Sequence, residues 1–227
     1  MKLNNIYILF IIFIVLSCHN KGKKDNNEKY SDLVIPKNYT KLTEVLGDLD
    51  NDKVDEKILV FNTDIEGDLG LNRIIYICKE IDGKWKLWKT ANGPVLQSKS
   101  DGHFSDSFDG IVIEDNKIYI SHTGGMTLKW YYNHCYQLIN DEFRLTKVVV
   151  DKGIPCEYWE TYIYDIVSSK INYEKVLDDC ENTLINQNKT LAKKEIFLKK
   201  QDLPLMYDFV PGDNNITVDT DDLTVYY

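Results

Sequence analysis

Between Thr127 and Ile139 the chain alternates without a break. Leu128, Trp130, Tyr132, His134, Tyr136 and Leu138 share one parity, and Lys129, Tyr131, Asn133, Cys135 and Gln137 share the other. A period of two held over this length puts one row on a buried sheet face; a helix would scatter it. Shorter runs repeat the pattern: KILVFNT from Lys57, IIYI at 74–77, KWKLWK at 84–89, GIVIEDNKIYIS from Gly110 and FRLTKVVV from Phe143. Turn signals separate them at Asp82-Gly83, Glu114-Asp115-Asn116, Thr123-Gly124-Gly125 and Asn140-Asp141-Glu142. YWETYIYDIV and KINYEKV flank Ser168-Ser169 and read as a further hairpin, and KKEIFLKK as a late strand. The chain holds 15 Tyr, 8 Phe and 4 Trp, which favour strands, and no long amphipathic helix is visible. The expected fold is all-β: antiparallel strands and hairpins in a single sandwich- or propeller-like domain over residues 36–227.

Charge narrows the partners. With 36 acidic against 27 basic residues the formal net charge is -9. That balance argues against nucleic acid as a partner, because phosphate binding needs concentrated Lys and Arg.

The first residues stand apart from the fold. Met1-Lys2 is followed by the apolar run Ile6–Leu16, too short for a hydrocarbon core of about 30 Å and of the length of a signal-peptide h-region. Val15-Leu16-Ser17-Cys18 closes it and resembles the lipobox of bacterial lipoproteins. The resemblance implies a signal peptide over 1–17 and a lipidated, palmitate-bearing Cys18, so the partner would be a membrane reached through several acyl chains. It also implies a bacterial cell-envelope location, and the outer membrane because no Asp follows the Cys. Residues 18–35 open on the polar stretch His19–Glu28 and read as a flexible, disordered tether. Outside the cytosol disulfides are allowed. Cys156 and Cys180 lie twelve residues either side of Ser168, so the hairpin would bring them together. Cys78 and Cys135 fall mid-strand and read as core thiols.

The stretch GDLDNDKVDE from Gly47 packs five carboxylates into ten residues just before a strand. Asp48, Asp50 and Asp52 alternate, so a tight loop can turn them inward on a hard cation that takes oxygen ligands. The stretch resembles the calcium loop of FG-GAP/VCBS repeats. That resemblance implies Ca²⁺ held by Asp48, Asp50, Asp52 and Glu56. With Asp48 counted first, the Val54 backbone oxygen falls at the seventh position. The family's turn glycine is replaced by Lys53. The match covers some fourteen residues, once, and implies no whole propeller.

No catalytic constellation emerges. HExxH, GxSxG, Walker and CxxC patterns are absent. The expected function is a non-catalytic binding or structural module on the envelope. Trp130, Tyr131, Tyr132, Tyr158 and Trp159 offer a face for a glycan or protein ligand. Two alternatives are a hydrolase using His103, His122 and nearby carboxylates, and a protective inhibitor lipoprotein.

Overall fold

The computed structural model describes residues 29–100, 105–180, 189–218 and 223–227. Cys18, His103 and the tether up to residue 28 lie outside the described residues. The described residues form antiparallel sheets and no helix. The first sheet contains β1 (Ser31–Asp32), β2 (Thr40–Gly47), β3 (Glu56–Gly67), β4 (Gly70–Ile81) and β5 (Lys84–Ala91), in the order β1-β5-β4-β3-β2. The second is a seven-stranded meander, sequential in space: β6 (Phe108–Glu114), β7 (Lys117–Gly124), β8 (Lys129–Ile139), β9 (Glu142–Ile154), β10 (Tyr158–Asp165), β11 (Lys170–Leu177) and β12 (Thr190–Phe197). A small hairpin, β13 (Asn215–Val218) with β14 (Leu223–Tyr226), ends the chain.

The turn chemistry explains the meander. Three hairpins close on two residues that both have positive φ: Asp82 and Gly83, Asp115 and Asn116, Asn140 and Asp141. Paired left-handed residues match the twist of the flanking strands, and Asn, Asp and Gly tolerate that conformation best. The two sheets share one core. Ile58, Val60, Ile75 and Ile77 of the first meet Ile118, Ile120, Tyr136, Val148 and Tyr164 of the second. Of the two expected architectures, this is the sandwich-like one.

Residues 29–35, expected within the tether, belong to the body. Tyr30 packs on the shared core, Ser31 pairs with Leu87 in β5, and Leu33 helps cover Leu59, Phe61, Tyr76 and Cys78 on the outer face of the first sheet. Their apolar side chains explain why the body starts early. The chain after β12 also enters the core. Its backbone bonds to both sheets, Asn92 N–H to the Tyr207 carbonyl and Met206 N–H to Phe143. It thereby buries Met206, Phe209, Ile216, Val225 and Tyr227. β10 and β11 form the hairpin around Ser168-Ser169, and Cys156 and Cys180 are joined beyond its open end, their Cα atoms 4.9 Å apart. Closing a loop of this separation, 24 residues, restricts the unfolded chain by about 3 kcal/mol. Cys78 and Cys135 are free and buried.

Candidate ligand cleft and acidic loop

The inner face of β4 carries Arg73, Ile75, Ile77 and Lys79. Two isoleucines pack in the core, and a buried cation sits at each end of the row. A buried cation must find a counter-charge, and each of these two organises a loop.

At one end lies the acidic loop, which is the connection from β2 to β3. Gly47 pairs with Glu56 to close it. Asp48 acts first as a turn residue: its carboxylate accepts N–H groups from Asn51 (2.6 Å), Asp52 (3.2 Å) and Lys53 (2.9 Å). Asp52 accepts the Val54 N–H, and Glu56, only 1% exposed, accepts that of Leu49 at 2.6 Å. Lys53 stands at φ 69°, the left-handed region that Gly adopts most readily. Leu49 plugs the core, and Asn116 from the β6–β7 turn donates to the Asp48 carbonyl, tying the loop to the second sheet. Oxygens of Asp48, Asp50 and Glu56 lie within 4.8 Å of one another, so this triad can hold a metal ion.

Lys79 reaches into the same cluster. Its ammonium lies 2.5 Å from Asp50, 2.9 Å from Glu56 and 3.2 Å from Asp52, with the Trp88 ring 5.0 Å away. Burial alone would lower the Lys79 pKa, but bonds to Asp50 and Glu56 outweigh it, and the ammonium is strongly favoured. Burial raises the Glu56 pKa, only partly offset by Lys79. Of the residues read as ligands from sequence, the structure brings Asp48, Asp50 and Glu56 together. Asp52 is turned towards Lys79 and accepts the N–H of Val54, the residue whose backbone oxygen was the expected ligand. Lys79 was missed by the sequence reading. Its signal was present: a lysine that continues the apolar row of Ile75 and Ile77 must point inward.

At the opposite end Arg73 is fully buried and grips Asp106 with two bonds of 2.8 and 2.5 Å. It also donates to Asn62 and to the Leu96 carbonyl. Burial would raise the Asp106 pKa, but Arg73 and the Phe108 N–H hold it below the usual carboxylate range. These bonds pin the 92–100 segment and Asp106 against β3 and β4. Gln97 adds two more bonds, donating to Asn72 (2.7 Å) and accepting from Leu69 N–H (2.6 Å).

The pinned segment forms one wall of a cleft of about 970 Å³. Tyr39, Trp130 and Tyr132 supply rings; Asn72, Asp68 and Asp213 are among its polar groups. Trp130 and Tyr132 lie 5.3 Å apart, centroid to centroid. This volume is at the upper end for small-molecule sites, which run to about 1,000 Å³. Of the five aromatics expected to form a face, Trp130 and Tyr132 line the cleft, and Tyr158 shares their inner face of the sheet. Tyr131 is on the outer face, bonded to Ser121 and Asn133, and Trp159 bonds Asp178 while packing over Gly153.

His122 lies behind the cleft wall, fully buried. Its Nε2 accepts the Leu96 N–H at 3.2 Å, and burial lowers its pKa to about 4. His134 is equally buried between Tyr132 and Phe209; neither ring nitrogen has a partner among the described residues, and burial lowers its pKa to about 3. Both rings are neutral and turned into the core. Fold and site together define an all-β sandwich with an aromatic cleft at one end and a lysine-filled acidic loop at the other. Compared with known protein families and with characterised proteins, the sequence matches none.

Proposed function

We propose that this is a non-catalytic, envelope-anchored lipoprotein that binds a glycan in the cleft. The observation that carries the reading is the cleft itself: Trp130, Tyr132 and Tyr39 beside Asn72, Asp68 and Asp213. Flat rings stack on the apolar faces of sugars, while amides and carboxylates bond their hydroxyls. Binding is favoured over hydrolysis by His122, whose burial and bond to Leu96 N–H keep it from solvent and from the role of general base. Calcium enters as a competitor of the Lys79 ammonium at the acidic loop, where it would brace the entrance to β3.

A glycan array probed with the full-length protein in detergent tests the cleft. Glycan hits are expected, and Trp130→Ala should weaken them about tenfold. An array without glycan hits, or hits indifferent to Trp130→Ala, would overturn the reading. The anchor rests on the Val15–Cys18 stretch and the apolar run before it. Palmitate should label the wild type in bacterial cells and leave Cys18→Ala unlabelled; equal labelling removes the anchor.

A further inference from the structure

We propose that the cleft continues along the inner face of the second sheet as a subsite for an acidic sugar, one carrying a carboxylate or sulfate. This rests on the glycan reading of the cleft and names the ligand class. Trp130, Lys152, Glu160 and Lys175 are direct cross-strand partners on β8, β9, β10 and β11. Successive strands are about 4.8 Å apart, so the row runs about 14 Å from the cleft's tryptophan to Lys175. Such a length suits an extended oligomer better than a single small ring.

The chemistry of the row is cationic and aromatic. Glu160 is largely buried and saturated: Lys175 (3.0 Å) and the Tyr162 (3.0 Å) and Tyr173 (3.3 Å) hydroxyls all donate to it. Lys152 stands further off, at 3.7 Å. Two ammonium groups therefore share one carboxylate, leaving a surplus positive charge on a protein of net charge -9. Both lysines are about one-third exposed and lie over aromatic rings, Lys175 over Tyr158 at 4.0 Å and Lys152 over Tyr162 at 5.0 Å. Tyr162 is buried beneath Lys152, so Tyr158, half-buried beside Lys175, is the ring that takes the apolar face of a sugar while the ammonium groups take its anion. The nearest acids of β9 to β11 do not oppose this, because Asp151 and Glu174 have the other parity and point to the outer face.

The test compares oligogalacturonate fragments, the same fragments methyl-esterified, heparin fragments and neutral oligosaccharides on the full-length protein. Binding is expected for the carboxylated or the sulfated series, which separates those two sources, and esterification should weaken it at least tenfold. Added salt should weaken it too. Two variants move it in opposite directions: Lys152→Gln with Lys175→Gln should abolish the preference for acid, while Glu160→Gln, which frees both ammonium groups, should strengthen it. A merely structural role for the cluster would weaken binding in both. Neutral glycans binding as well as acidic ones, with both variants indifferent, would overturn the subsite and leave the cleft reading standing. Failure of every glycan to bind would overturn both.

Discussion

Replacing Lys79 by methionine is expected to lower the unfolding free energy by about 3 kcal/mol, a drop in Tm of about 10 °C for a chain of this size. The reason is the company Lys79 keeps. Asp50, Asp52 and Glu56 all reach its ammonium, and Glu56 is 1% exposed. Removing one partner from a buried ion cluster leaves charge without compensation, which is far more costly than the cluster's net worth. Methionine keeps the apolar stem and removes the ammonium, with its ion pairs and its place over the Trp88 ring, so the loss reports the charge. Calcium at about 1 mM, the range of weak oxygen-ligand sites, should then restore a large part of the lost Tm in Lys79→Met. In the wild type the same calcium, or a chelator, should move the midpoint by less than about 2 °C, because the ammonium already neutralises the loop. Differential scanning calorimetry on both proteins decides it. A wild type that collapses on chelation would show that a metal, not Lys79, holds the loop; a Lys79→Met protein that melts like the wild type would remove the ion cluster from the account of stability.

That prediction turns on a residue the sequence reading passed over, and the pattern of what was legible follows from range. Asp82-Gly83, Asp115-Asn116 and Asn140-Asp141 specify their hairpins locally, because the left-handed backbone selects the residue type. The long alternation of β8 likewise sorts its own residues into faces, and Cys156 and Cys180 are paired by a single hairpin. Arg73 and Lys79 are different. Their parity with Ile75 and Ile77 points both inward, but it does not say what neutralises them, and the Arg73 partner, Asp106, lies 33 residues away. The cleft is longer-range still: it needs the 92–100 segment, β8 and the chain around Pro211 at once. The chain after β12 shows no long alternation, yet Met206, Phe209 and Tyr227 are core. Its apolar residues fall in short runs broken by Pro211-Gly212-Asp213 and an acidic stretch, each too brief to show which face is buried.

The second large effect is on pH. Between pH 7.5 and pH 5 the protein is expected to lose about 4 kcal/mol of stability, a large part of the 5–15 kcal/mol typical of a domain. His122 and His134 carry it. In the unfolded chain each titrates near 6.5, whereas burial holds them at about 4 and about 3 when folded. Below pH 6.5 the unfolded state therefore binds more protons than the folded one, and stability falls as pH falls until the folded values are reached. Each ring contributes a slope of up to about 1.4 kcal/mol per pH unit. The carboxylates with depressed values, Asp52, Asp106 and Glu160 among them, lose their contribution as pH falls through about 4 and below, so they do not account for this window. Glu56, raised by burial, acts in the opposite sense. His134→Phe separates the two histidines. Its ring would sit between Tyr132 and Phe209 in place of an imidazole whose nitrogens lack partners among the described residues. The variant should be no less stable than the wild type at pH 7.5 and should show about half the slope between pH 6.5 and pH 5. Urea unfolding at a series of pH values measures both; an unchanged slope in His134→Phe would mean that this buried ring does not carry the acid sensitivity.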